Sequence, residues 1–395
     1  MNNEAPSETV AQEGEWRRNG RPKSHVSSPG PETESSPGPE TENIQSLLVW
    51  SSPSTKGAGA YQLWENYRES LSPYFRGLVL LRGHNDDDTV ANPQIKLGFR
   101  SVLWALRELR QIQRNAKCKN VVTSISQSDI IFGLFVRIFF RANWTIYVLG
   151  QPYPVIGQTR PLKRFLWKYL WLFAARRADG IVAVSDYIAR IISRDLGGRE
   201  IKTVYPSLTN HGKLVESVKR SPAERLRVGF VGRLSHEKDP FLFCSILGNF
   251  TDVDAKIYGD GPLRPQVERI LDGVTLVGFR SQTEIYSGLD VIMMTSQSEG
   301  LPMVLVEASL TGVVPLVCDV GGCAEAIHPQ NRDLLVIPLA ERRNITLWRE
   351  RLLVLQNRDT RAAIVKLQKR WAEQNFDAAN NSRALAKLVL QKAND

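Results

Sequence analysis

Leu226-Arg227-Val228-Gly229-Phe230-Val231-Gly232-Arg233-Leu234-Ser235-His236-Glu237-Lys238 is an apolar run that breaks, at a glycine, into a basic loop. A short apolar run bounded by such a breaker reads as a buried strand and the loop leaving its end. The pattern repeats downstream. Strands are predicted at 255–258, 275–277, 291–294 and 314–318, helices at 239–247, 264–271, 284–289 and 303–311, and a mostly helical stretch at 346–392. Upstream, strands are predicted at 46–50, 77–81, 120–124, 144–149, 180–184 and 202–205, and helices at 60–71, 98–114, 129–140, 162–176 and 186–193. Strands alternating with helices imply right-handed crossovers and a parallel sheet covered on both faces. The fold class is therefore α/β, with two doubly wound parallel-sheet domains facing each other across a cleft. In such sheets ligands bind outside the carboxyl ends of the strands.

Length and composition fit this reading. The chain has 395 residues, 42% hydrophobic and 23% charged, enough for two domains with real cores and tails. Residues 1–43 are rich in Ser, Pro, Gly and Glu, and the octapeptide Ser-Ser-Pro-Gly-Pro-Glu-Thr-Glu occurs at 27–34 and again at 35–42. Such a segment buries too little apolar surface to offset its ordering entropy and is expected to be a disordered tail. The expected divisions are a first domain at 44–206, a polar linker at 207–225, a second domain at 226–365 and a helical segment at 366–395. The net charge of +10 favours anionic partners, but no nucleic-acid module accompanies it. Cys118, Cys244, Cys318 and Cys323 form no Cys-x-x-Cys pair, so neither a disulfide framework nor a zinc site is expected. No signal peptide or spanning segment is legible, and a cytoplasmic protein is expected.

Four motifs follow strands. Arg233 offers a planar fork and Lys238 a point charge, together suited to a diphosphate, although a basic loop is also an ordinary solvated surface. In Ser298-Glu299-Gly300-Leu301-Pro302-Met303-Val304-Leu305-Val306-Glu307-Ala308, a carboxylate and a glycine precede a proline at a helix start. The positive end of that helix is a ready anion site. Acidic groups beside it repel an anion unless they accept hydroxyls, which points to a sugar-bearing ligand; the alternative is a capped helix with Glu307 turned outward. Tyr258-Gly259-Asp260-Gly261-Pro262 and Gly321-Gly322-Cys323-Ala324-Glu325 are each weak alone.

Taken in order, these motifs, with Val277-Gly278-Phe279 between them, resemble the retaining GT-B glycosyltransferases of family 4 over about Val228 to Glu325. The first half resembles them more loosely, through Ala178-Asp179-Gly180-Ile181-Val182-Ala183-Val184-Ser185. The resemblance implies two Rossmann-like domains, an acceptor-side one and a nucleotide-sugar donor one. It implies that Arg233 and Lys238 hold the donor diphosphate, that Glu299 accepts donor-sugar hydroxyls and that Glu307 binds the ribose. Backbone N–H groups from Leu301 to Val304 would hold the distal phosphate, with Gly300, Leu301, Pro302, Met303 and Val304 as the donor-binding stretch. The base would lie near Gly259, Gly261, Phe279 and Arg280. It further implies transfer of a sugar, with retention, to a saccharide or lipid-linked acceptor in cell-surface glycan synthesis, without metal or other cofactor. A nucleotide-sugar-binding protein of the same fold without turnover is the alternative, while the absence of a Gly-x-Gly-x-x-Gly opening disfavours a dehydrogenase.

Two departures matter. Leu149 stands where many relatives carry a cleft-facing histidine, and Lys56-Gly57-Ala58-Gly59-Ala60 matches the family's first glycine-rich loop imperfectly, with Gly57 and Gly59 as its donor-side candidates. Asp86-Asp87-Asp88 and His84 read as solvated surface rather than a metal site. Arg160 to Arg177 carries six Lys/Arg and no acid among aromatic residues. Such a helix either lies on an anionic membrane, at the inner face, or packs its apolar side on the sheet as any domain helix does.

Overall fold

The computed structural model describes residues 47–50, 63–64, 67, 70–75, 78–80, 107, 120–138, 142–153, 160–206, 208, 211–219 and 223–390. The tail at 1–43, Gly57, Gly59, His84, Asp86–Asp88, Cys118 and most of the helix expected at 98–114 lie outside them.

The first half forms a six-stranded parallel sheet in the order β2-β1-β3-β4-β5-β6. Its strands are β1 (Leu47–Trp50), β2 (Leu78–Leu80), β3 (Asn120–Thr123), β4 (Asn143–Val148), β5 (Gly180–Ala183) and β6 (Lys202–Thr203). The second half forms another, in the order β12-β11-β10-β7-β8-β9. It comprises β7 (Leu226–Val231), β8 (Val253–Tyr258), β9 (Val274–Gly278), β10 (Val291–Met294), β11 (Val314–Cys318) and β12 (Val336–Ile337). Renumbered within its own half, the second sheet has the strand order of the dinucleotide-binding fold, and its order reverses between β7 and β10. Both inner strands β10 and β11 are buried throughout, as expected for parallel strands covered on both faces.

The elements read from the sequence are present where the chain is described, with boundaries shifted by a few residues. Helix Ser126–Ile131 continues as a π turn, Phe132–Val136, in place of the single helix expected to 140. A helix, His211–Ser217, lies within the stretch read as linker. Helix Arg358–Asn375 runs through position 365, and the last helix, Ala378–Leu390, packs on β3 and β4 of the first sheet. Ser382 Oγ meets Ser70 Oγ there at 2.7 Å. This helix therefore crosses back from the second half and ties the two sheets together.

Helix Pro161–Arg176 has one buried and one exposed side. Trp171, Leu172, Ala174 and Ala175 are buried where the helix packs on helix Ser126–Ile131 and the π turn, with Trp171 Nε1 donating to Asp129 at 2.8 Å. On its outer side Leu162, Phe165, Leu166, Tyr169 and Phe173 are exposed, beside exposed Phe135 and Ile138.

The loop after β7 is fixed from below. Asp239 has φ +49, uncommon for a residue with a side chain, and caps helix Pro240–Leu247 by accepting from Leu242 N at 3.2 Å. Arg342, buried like Asp239, pairs with its carboxylate, and Thr295 Oγ1 donates to Asp239 O at 2.9 Å. This sets the direction in which Lys238 leaves the backbone. Removing one partner of a buried ion pair strands the other, so Arg342→Met should destabilise the protein by about 3 kcal/mol. Urea denaturation followed by tryptophan fluorescence measures it; an unchanged midpoint would contradict the role given to the pair.

Candidate functional site

Because the strand order of the second sheet reverses between β7 and β10, the loops leaving these two strands diverge and open a crevice. A cavity of about 490 Å³ fills it. Its walls come from both halves of the chain: Leu63, Leu149, Val184 and Pro206 from the first, and the segments around Gly232, Lys238, Gln282–Tyr286 and Glu299–Glu307 from the second.

Lys238 and Glu299 meet inside it. Lys238 Nζ donates to Glu299 Oε1 at 2.6 Å and Oε2 at 2.8 Å, and the carboxylate side chain is only 7% exposed. The cation and anion of the site are thus paired with each other. From Gly300 the loop enters helix Met303–Thr311, whose first turn faces the cavity with Pro302 immediately before it. The first N–H groups of a helix lack acceptors within it, and this end carries partial positive charge.

Gly300 lies where the two halves touch. A Cβ built on it would stand 2.0 Å from Leu149 O, a distance no side chain tolerates, so only glycine fits. Gly259, at φ +132, is held as tightly: its Cβ would meet Gly232 O at 2.0 Å. Gly259 and Gly261 stand where the β7 and β8 loops pack closest, next to the residues that wall the cavity at Val231 and Gly232.

Glu307 lines the cavity about one turn into helix Met303–Thr311, which rules out the outward orientation. Tyr286 OH donates to its Oε2 at 2.5 Å. Burial raises the Glu307 pKa above its ordinary 4.5, against the opposing hydrogen bonds of Tyr286 and Gln282, and burial followed by the Glu307 charge pushes the Tyr286 phenol well up. Cys323 is buried beneath the Lys238–Glu299 pair, and burial holds its thiol well above its normal range, so it is no ready nucleophile.

The structure thus brings Lys238, Glu299, Gly300, Leu301, Pro302, Met303, Val304 and Glu307 to one cavity. Arg233 is exposed and stands outside that lining, as does Phe279, which is 76% exposed. Leu149 does line it, presenting an aliphatic side chain. Tyr286 and Gln282 were not read from the sequence. A signal existed: Ser281 and Glu284 form a capping box that starts helix Gln282–Ser287, and its spacing puts Gln282, Ile285 and Tyr286 on one face.

This fold is known. The solved structure of sucrose-phosphate synthase from Thermosynechococcus elongatus superposes with TM-score 0.71 at 15% identity, covering 88% of this chain and 99% of that one. Anabaena HepE, solved in complex with UDP-glucose, superposes with TM-score 0.68 at 17% identity, covering 87% and 99%. Two parallel α/β sheets with such neighbours make this a GT-B fold. Residues 225–346 match the family described as glycosyl transferases group 1. Alpha-D-kanosaminyltransferase from Streptomyces kanamyceticus is 31% identical over 270 residues, 60% of this chain and 69% of that protein. The O-antigen biosynthesis glycosyltransferase WbnH of Escherichia coli is 25% identical over 234 residues, 56% of this chain and 65% of its own length, just under two thirds. The chain belongs to the glycosyl transferases group 1.

Glu307 gives the site a measurable signature. Its folded pKa is raised, so the stability it contributes is present below the ordinary pKa of 4.5 and lost as pH rises through the folded value. Glu307→Gln keeps an acceptor for Tyr286 and removes the buried charge. Its melting temperature should equal or exceed the parent's at pH 7, with the gap widening from pH 4 upward; a variant less stable at every pH would contradict the assignment.

Proposed function

We propose that this protein transfers a sugar from a nucleotide-diphosphate donor, with retention of configuration, to a saccharide or lipid-linked acceptor in cell-surface glycan synthesis. The observation that carries this is the meeting of Lys238, Glu299, Glu307 and the start of helix Met303–Thr311 in one cavity. A diphosphate fits a lysine and a helix N-terminus, and a sugar and a ribose each supply the hydroxyls that buried carboxylates need. The acceptor class draws support from the E. coli relative, whose name places it in O-antigen biosynthesis. It draws more from a Campylobacter jejuni relative named for transfer onto an undecaprenol-linked saccharide.

In this reading the donor diphosphate takes Lys238 from its ion pair, and Glu299 turns to the donor-sugar hydroxyls. Glu307, held by Tyr286, accepts from the ribose. Arg233 reaches the diphosphate from the solvent side, and the base lies toward Gly259, Gly261 and Phe279. The acceptor hydroxyl oxygen attacks the anomeric carbon on the face from which the diphosphate departs. As the C–O bond to phosphate breaks, the hydroxyl proton passes to a phosphate oxygen and the nucleoside diphosphate leaves. Lys238 and the helix end stabilise the growing negative charge, so no metal is required.

The exposed stripe of Leu162, Phe165, Leu166, Tyr169 and Phe173, flanked by exposed Arg160, Lys163 and Arg176, supports peripheral contact with an anionic membrane where a lipid-linked acceptor resides. Among the described residues no helix is long and apolar enough to cross a membrane. Leu149 favours the second reading, a nucleotide-sugar binder without turnover, because its side chain offers the sugar no hydrogen bond.

A thermal-shift panel of nucleoside diphosphates and their sugars tests the donor site. At least one should stabilise the parent; Lys238→Ala should weaken its binding about 10- to 100-fold and Glu307→Ala less. Binding unchanged in Lys238→Ala, Arg233→Ala and Glu307→Ala would overturn the site, and binding with no donor consumption by any acceptor would select the second reading. The membrane contact is tested by flotation at physiological salt. The parent should rise with anionic but not neutral vesicles and a Leu162→Ser, Phe165→Ser variant should not; a parent that stays down with both would contradict it.

A further inference from the structure

The turn Gly321-Gly322-Cys323-Ala324-Glu325 has no role in the donor reading, yet it touches both halves of the molecule. At one end Gly322 N donates to Gly300 O at 2.6 Å, so the turn carries the backbone of the loop that forms the cavity floor. At the other end Glu325 reaches helix Asp186–Asp195 behind β5 of the first sheet. Asp186 N donates to Glu325 Oε2 at 2.8 Å and Tyr187 N to Oε1 at 2.7 Å.

These are the first two N–H groups of a helix, which have no acceptor inside it. The helix already has its own cap, Ser185, whose Oγ accepts from Ile188 N at 3.3 Å. Glu325 therefore adds a charged cap supplied by the opposite half, favoured by the positive end of the helix. Its main chain is pinned by Trp371 Nε1, which donates to Glu325 O at 3.1 Å. The Tyr205 phenol is pushed up first by burial and then by the Glu325 charge, which places that hydroxyl beside the carboxylate. Ser185 Oγ donates in addition to Gly300 O, at 3.4 Å.

We propose that Glu325 is a clasp that holds the two halves closed before any ligand binds and so positions the Glu299–Val304 loop against Leu149. Its partners permit release. Asp186 and Tyr187 are exposed and Glu325 is half-buried, so opening hands the freed N–H groups and the carboxylate to water rather than stranding them in the core. The closure part stands independently of the donor reading; the positioning part rests on it.

Full-length Glu325→Ala tests the clasp by small-angle scattering and amide hydrogen exchange, both without ligand. The radius of gyration should rise, and the Asp186 and Tyr187 amides should exchange at least about tenfold faster, the factor expected for losing one charge-assisted hydrogen bond. Asp186→Pro supplies a second variant should Glu325→Ala misfold. Proline is accepted at the first helical position, Ser185 before it is extended at φ −154 and ψ 155, and the substitution deletes one clasp N–H. It should open the molecule in the same sense. Unchanged scattering and exchange in both variants would overturn the clasp. For positioning, opened Glu325→Ala should still bind the nucleoside diphosphate that stabilises the parent but turn over its sugar more slowly; turnover equal to the parent's would overturn that part. A parent that binds no nucleoside diphosphate would instead sink the donor reading, while scattering still decides the clasp.

Discussion

The structure depends on one backbone contact, the approach of Gly300 to the Leu149 carbonyl, where nothing larger than a hydrogen fits between the two halves. The contact joins the end of β4 to the loop after β10, the two places at which the sheets present their carboxyl ends to each other. With the loop held there, Gly322 N binds the Gly300 carbonyl from behind, and the helix that follows points its first turn into the cavity. A side chain at position 300 would push the halves apart and aim that helix elsewhere.

Charge is arranged around this contact so that few ionised groups are left alone. Lys238 and Glu299 satisfy each other in the cavity, and Asp239 next in the chain is matched by Arg342. A paired lysine avoids the cost of standing alone in a half-closed, weakly polar space. Glu307 is the counter-example. Burial raises its pKa, and the hydrogen bonds of Tyr286 and Gln282 oppose the shift without cancelling it.

Much of this was legible in the sequence because the information is local. Each buried parallel strand is a short apolar run ended by glycine or a polar loop, and the spacing from Glu299 to Glu307 places both carboxylates along one loop and helix. Contacts between distant segments were not legible. Arg342 meets Asp239 across 103 residues, Glu325 meets Tyr187 across 138, and Ser382 meets Ser70 across 312. No periodicity encodes such pairs. The helix inside the expected linker and the return of Ala378–Leu390 to the first sheet were hidden for the same reason, since tertiary packing rather than pattern decides them. Arg233 shows the converse: adjacency in sequence to Gly232 did not carry its side chain into the cavity that Gly232 lines.

The most direct measurement is a crystal structure of the full chain with a bound nucleoside diphosphate. The terminal phosphate should lie at the first turn of helix Met303–Thr311, with Lys238 turned from Glu299 onto the diphosphate and Glu307 on the ribose hydroxyls. A nucleotide seated away from this crevice, or one bound within it while Lys238 keeps Glu299 and Glu307 touches no hydroxyl, would contradict this arrangement.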